Sequence, residues 1–295
     1  YRIYSKQVVE TMMRTRKYIL EPAIISITLL HVGHGGDLLN QRASHFLLHW
    51  FSRYEHLFMR AINYLAMRDW VHRLKITKRV VDRISGLVIR NINGEILTLE
   101  ESCKLVEKIA DSGYTIAVGT CPCRRARNQM SDEKPNNTDM VFGRWAEEYL
   151  ENYPGLYERI DKEKALRLIK VFEDYGYFHQ LYGWSFPQDA AFVLCNCAPD
   201  VCIPLQAQRT RGYTSFRKGR NTAVVDEESC LGVEKCGICM ERCPFGARYE
   251  REGKSIVNTE ICYGCGLCVS SCQGGASSLK RDSKRELVFA RMILD

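Results

Sequence analysis

Eight cysteines in the last quarter of the chain carry the clearest chemistry in the sequence. Cys230, Cys236, Cys239 and Cys243 are followed by Cys262, Cys265, Cys268 and Cys272. The spacings are C-x5-C-x2-C-x3-C, closed by Pro244, and then C-x2-C-x2-C-x3-C. Three close-set thiolates wrap one cubane [4Fe–4S] cluster, while a fourth, three residues further on, turns away and reaches a second cluster. Two quartets of this form suit two cubanes. Zinc competes for paired C-x2-C motifs, but zinc sites use two pairs rather than two triplets each with a trailing cysteine.

Five more cysteines fall into a second pattern: Cys121-Pro122-Cys123, Cys195-Asn196-Cys197 and Cys202. Each C-x-C pair closes a similar stretch. In Thr98–Cys123, Thr98 and Glu101 read as a capping box, Leu99–Ala110 as a helix, Asp111-Ser112-Gly113 as its stop and Tyr114–Val118 as β-structure. In Asp161–Cys197, Asp161 caps a helix over Lys162–Tyr175, Gly176 ends it, and β-like runs follow at Tyr177–Tyr182 and Ala191–Leu194. Packed side by side, the two halves of this internal repeat would gather the C-x-C pairs around one site. Such a third centre is expected to hold Fe–S or zinc; unligated core thiols are the plain alternative. Cationic flanks, Arg124, Arg125 and Arg127 on one side and Arg209, Arg211, Arg217, Lys218 and Arg220 on the other, fit an anionic centre or a solvated loop. Cys103, on a helix face with Val106 and Ala110, reads as core.

The elements around these sites give an α+β expectation. Residues 1–80 read as a helical docking region. Within it Tyr18–Leu30 is the most apolar stretch, too short for the roughly 20 residues of a membrane span, and Ser44–Val81 is an aromatic-rich helix or pair of helices. Six of the seven histidines lie here: His31, His34, His45, His49, His56 and His72. They read as surface or interface residues rather than ligands. Residues 81–225 form an α+β cysteine-containing domain, residues 226–282 a two-cluster domain, and residues 283–295 a tail that docks as helix or strand. Asn128–Thr138 is an exposed loop, Trp145–Leu150 a short helix, and Arg209–Thr222 a basic linker.

Fourteen cysteines in 295 residues, most of them at ligand spacings, point to a reducing, oxygen-poor, cytoplasmic setting, since a disulfide would remove the thiolates a cluster needs. No signal peptide is visible. A net charge of +7 suits a nucleic-acid partner, but it also offsets the negative charge of Cys-ligated clusters and steers an acidic protein partner. No G-x-G-x-x-G, Walker-type Gly-Lys-Ser/Thr or nucleophile elbow is present.

The eight C-terminal cysteines resemble the dicluster domain of bacterial-type two-[4Fe–4S] ferredoxins over about residues 226–280. With Cys121-Pro122-Cys123-Arg124 and Cys195-Asn196-Cys197 upstream, the whole is similar to uncharacterised 4Fe–4S binding proteins of anaerobes that carry CPCR and CNC elements before a ferredoxin domain. The resemblance implies that Cys230, Cys236, Cys239 and Cys272 hold one cluster, and Cys262, Cys265, Cys268 and Cys243 the other. The chain departs from the pattern in the five residues Leu231–Lys235, where two are common. It departs again at Gln273, where Pro is common, and in Ala198-Pro199-Asp200 before Cys202, where adjacent cysteines after C-N-C are common.

The expected function is one-electron transfer, as an electron-wire subunit of a larger anaerobic oxidoreductase complex with a redox protein partner. On this view the chain is an electron-transfer subunit more than a catalytic one. A free ferredoxin needs only about 60 residues, and the remainder argues for docking surfaces. Two other readings are carried: a reductase whose Cys121/Cys195 centre binds substrate at an incompletely ligated iron, and a nucleic-acid-binding or regulatory Fe–S protein, which is not favoured. Tyr18–Leu30 leaves room for peripheral membrane contact, directly or through a complex.

Overall fold

The computed structural model describes residues 38–91, 94–183 and 192–295. The chain separates into two compact units, Tyr1–Phe51 and Ser52–Asp295, and every cysteine belongs to the second. The expectations for Tyr18–Leu30, His31 and His34 lie outside the described residues. The aromatic stretch forms α1 (Leu38–Met67), α2 (Asp69–Arg73) and α3 (Lys75–Asn91). Arg68 and Leu74 take extended backbone angles between them, so the run expected over Ser44–Val81 is a broken series of helices. Among the described residues no helix is long and apolar enough to cross a membrane.

Next come β1 (Gly94–Leu97), α4 (Leu99–Asp111), β2 (Ile116–Gly119), α5 (Pro122–Arg127), β3 (Asp139–Phe142), α6 (Gly143–Asn152) and β4 (Tyr157–Ile160). They are followed by α7 (Lys162–Asp174), β5 (Phe178–Gly183), β6 (Phe192–Cys197), α8 (Ile203–Arg211) and β7 (Phe216–Arg217). The strands form one seven-stranded sheet in the order β4-β2-β3-β6-β5-β1-β7. Neighbours run antiparallel except the edge pair β1–β7. The protein thus combines helices with a mixed sheet.

The helices form where their caps require. Thr98 Oγ1 accepts the Glu101 amide proton at 3.2 Å while the Glu101 carboxylate accepts from Thr98 N at 2.9 Å. The Asp161 carboxylate accepts from Lys164 N at 2.7 Å. Each satisfies amides that the first helical turn leaves open. Leu105, Val106 and Ile109 of α4 and Ala165 and Ile169 of α7 meet Val118, Met140, Leu181 and Leu194 of the sheet in one buried core. Cys103 packs against it.

The remaining elements are β8 (Asn221–Val225), α9 (Ile238–Glu241), β9 (Arg248–Arg251), β10 (Lys254–Val257), α10 (Leu267–Ser270), β11 (Ser277–Arg281) and α11 (Arg291–Leu294). Two expectations need correcting. Arg209–Thr222 is no linker: it holds the end of α8, β7 and the start of β8. Its cations are held, Arg209 by the Pro244 carbonyl, Arg211 by Asp69 and Arg220 by Glu101. The boundary expected at 225/226 also fails to divide the chain, because β8 pairs antiparallel with β11 along its whole length. The tail packs Leu287 and Ala290 into the same core as α4. Glu95 of β1 holds it there by accepting the amide protons of Val288, Phe289 and Ala290.

Candidate metal centres

The C-terminal cysteines divide between two cavities. Cys230, Cys236, Cys239 and Cys272 line one of about 380 Å³, floored by Leu231, Val233 and Ala276. Cys243, Cys262, Cys265 and Cys268 line another of about 330 Å³, walled by Phe245, Ala247, Val257 and Tyr263. Between the thiols both linings are mostly apolar, with Arg248 common to the two and Ser255 and Ser277 in the first. The chain bends tightly at each. Gly264 sits at φ +73°, and a Cβ there would strike the Asn221 carbonyl, so only glycine lets Tyr263-Gly264-Cys265 pass under β8.

Backbone amides point at several of these sulfurs. Ala247 N donates to Cys243 Sγ at 3.2 Å and Ser277 N to Cys272 Sγ at 3.4 Å. Burial opposes charge on Cys272, yet the Ser277, Ala276 and Gly274 amides outweigh it and bring the thiol below its ordinary range. Burial pushes the Cys265 thiol well up. It also raises Cys268, against the pull of the Arg248 guanidinium. Thiols raised in this way lose their protons only to a strong positive partner, which a metal supplies.

The five middle cysteines also come together, by a route the strands explain. β2 and β6 flank β3 and run antiparallel to it, so they share one direction. Their C-terminal ends lie at the same end of the sheet, bringing Cys121 and Cys123 beside Cys195 and Cys197. The C-x-C of the second half lies within β6, not after it as the sequence suggested, because Cys197 still pairs with Phe178. Cys121 and Cys202 precede α5 and α8 as their N-cap residues, each helix carrying a proline, Pro122 and Pro204, within its first two positions.

The thiols form a chain of sulfur neighbours: Cys121 to Cys123, Cys123 to Cys202, Cys202 to Cys197, and Cys197 to Cys195. All five are free and lie well above the usual thiol range. For Cys197 and Cys202 the first cause is burial; for Cys121 it is the adjacent Cys123 thiol. Gln180 Nε2 donates to Cys197 Sγ at 2.8 Å and Ile203 N to Cys123 Sγ at 3.4 Å. Donors aimed at sulfur favour thiolate over thiol. Among the described residues, no group of three or more His, Cys, Asp or Glu side chains is set to hold a single metal ion.

Beside this group lies an acidic cluster that the sequence did not announce. Tyr157, Gly119, Asp139, Cys195 and Gln180 form one row across β4, β2, β3, β6 and β5. Tyr157 passes over Gly119 and its hydroxyl donates to Asp139 Oδ2 at 2.6 Å, while Cys195 Sγ donates to Oδ1 at 3.1 Å. A Cβ on Gly119 would collide with the Tyr157 ring. Glu55 of α1 comes in above. Its Oε2 is buried without a hydrogen-bond partner, and burial, then the Asp139 charge, pushes its carboxyl up to about 8. Burial likewise brings Asp139 to about 6. The Arg125 guanidinium, 4.8 Å from the Tyr153 ring centroid, partly compensates both.

Two links run from the middle thiols toward the C-terminal cysteine segment. Phe178, paired in register with Cys197, packs on Phe245 with ring centroids 5.4 Å apart, and Phe245 stacks on Tyr263 at 4.2 Å. Phe245 and Tyr263 wall the cavity of Cys243, Cys262, Cys265 and Cys268. The second link is polar. His179 joins Asn196, between the two cysteines of C-N-C, at 2.7 Å and Glu173 at 3.1 Å, and Ser270 of α10 donates to Glu173 at 2.5 Å.

His179 is the seventh histidine, and its position beside the C-N-C element emerges only from the β5–β6 register. His56 stands edge-on to Tyr153 and is lowered by burial and then by Arg125 and Arg60. His72 contacts the Leu65 carbonyl at 3.1 Å. Neither joins the cysteines. His45 and His49 lie on α1. In comparisons with known proteins, no family model and no curated protein matches the chain.

Proposed function

We propose that the chain is an iron–sulfur electron-transfer protein, a wire-bearing subunit of a larger oxidoreductase complex in a reducing, cytoplasmic setting. The carrying observation is the four-and-four division of the C-terminal cysteines between two cavities. In each, three close-set cysteines are joined by the trailing cysteine of the other quartet, as two interleaved cubanes require. The first cubane would be held by Cys230, Cys236, Cys239 and Cys272, the second by Cys262, Cys265, Cys268 and Cys243. The middle thiols would hold a third centre, Fe–S or zinc.

When bound, the clusters supply one-electron redox chemistry. The protein's own contribution is to exclude water with Phe245, Tyr263, Val257 and Ala276, and to aim amide and side-chain donors at sulfur. Such donors stabilise negative charge and so set potential. The Phe178–Phe245 packing makes the cavity of Cys243, Cys262, Cys265 and Cys268 the inner one, next to the middle thiols. The Cys230 cavity is then the outer end, toward a partner.

A second reading has its own observation. The buried Glu55 and Asp139 beside Cys195 are a proton source at the middle centre, which favours a reductase over a passive wire. Anaerobic reduction of the purified chain by dithionite tests the proposal. The expected result is bleaching of broad visible absorption together with the paramagnetic signals of two interacting reduced clusters. A colourless protein that dithionite does not change contradicts it.

A further inference from the structure

Arg248 opens β9 between the two C-terminal cavities and, among the described residues, is the only one lining both. It is 7% exposed. Nη2 donates to the Ser277 hydroxyl at 3.0 Å, while Nη1 is buried with no hydrogen-bond partner. The ionisable groups that it faces are thiols: Cys268 first, then Cys239 and Cys243, drawn from both cavities. A guanidinium is permanently charged, and burying one without a counter-charge costs several kcal/mol. Its position therefore calls for a negative group on each side.

We propose that Arg248 is a counter-ion shared by both clusters, raising the reduction potential of each and easing their simultaneous reduction. This rests on the iron–sulfur reading of the two cavities. A fixed cation stabilises the reduced form of a cluster, which carries one more negative charge than the oxidised form. Placed between two clusters, it acts on both and offsets their mutual repulsion when each holds an electron. Ser277 fixes the guanidinium so that neither cavity captures it.

The test is an anaerobic redox titration of the full chain, followed by electron paramagnetic resonance, for wild type, Arg248→Met, Arg248→Gln and Arg248→Lys. Iron is counted in each. Both neutral variants are expected to lower both midpoints by at least a tenfold change in the reduction equilibrium, about 59 mV for one electron. Arg248→Lys restores most of the shift. Neutral variants that lose their clusters while Arg248→Lys keeps them also support the counter-ion role. Unchanged potentials in a fully loaded neutral variant, a shift confined to one cluster, or cluster loss in Arg248→Lys overturns it. Wild-type protein without iron would instead defeat the iron–sulfur reading itself.

Discussion

Asp139 and Cys195 stand opposite each other in register on β3 and β6, and the Cys195 thiol donates to the Asp139 carboxylate at 3.1 Å. This single contact bears on which of five thiols would bind a four-site centre. A metal ligand must give up its proton, and a Cys195 thiolate would face the Asp139 carboxylate at that distance. Cys202 instead lies between Cys123 and Cys197. Cys202→Ser is therefore expected to remove the third centre, about four irons or one zinc. Cys195→Ser should leave it in place. Metal content of the two purified variants checks this, and the reverse pattern would make Cys195 the ligand.

Gly119 is required by the Tyr157 ring that lies across it. Gly119→Ala is expected to destabilise the protein by about 1–3 kcal/mol, through overpacking at a site that cannot yield. Tyr157→Phe keeps the ring and removes one buried hydrogen bond to Asp139, and so should cost about 1–2 kcal/mol. Denaturant unfolding of both variants tests the order; a neutral Gly119→Ala would mean that Tyr157 has room to swing away.

Glu55 gives stability a definite pH dependence. Its folded-state carboxyl lies at about 8, against an ordinary value of 4.5, so the folded protein keeps a proton that the unfolded chain has lost. The contribution is complete below pH 4.5, declines as pH rises toward 8, and is gone above it. Glu55→Gln carries no such term. Relative to wild type it should gain stability between pH 5 and 8, on the order of 2–4 kcal/mol in all, at about 1.4 kcal/mol per unit shared with Asp139. Thermal midpoints at pH 5, 7 and 9 measure the gap; a gap that does not widen with pH contradicts the assignment.

The tail is a structural strap for the sheet. Glu95 accepts three amide protons from Val288–Ala290. Glu95→Ala leaves those donors unmet and should cost roughly 2–4 kcal/mol. Deleting residues 287–295 uncovers the α4–α7 core and should loosen that layer first. Amide exchange would find the loss of protection in α4 and β1, whereas a response confined to β8–β11 would make the tail a part of the C-terminal module alone.

The sequence made some of this legible and hid the rest, for physical reasons. Thr98, Glu101 and Asp161 act within one helical turn, so their roles are local and readable. The cysteine spacings are readable because the proposed cluster ligands would be near neighbours along the chain. Asp139 lies just past the expected loop Asn128–Thr138 and carries no local signal, since its importance comes from partners on β2, β4 and β6 that only the sheet order supplies. Glu55 is the single acid of an aromatic helix, and the pattern gives no sign that it is buried. Arg209–Thr222 looked like a linker because its cations mask Phe216, which packs on Phe178 and Phe245. The repeat predicted that the C-x-C pairs meet, but not that Asp139 lies between them.

Iron, acid-labile sulfide and zinc per chain, measured on anaerobically purified protein, test the central claim most directly. Two interleaved cubanes predict about eight irons with matching sulfide, rising to about twelve with a third cubane, or eight irons and one zinc if the middle thiols bind zinc. A chain with zinc alone, or with neither metal nor sulfide, would contradict the account.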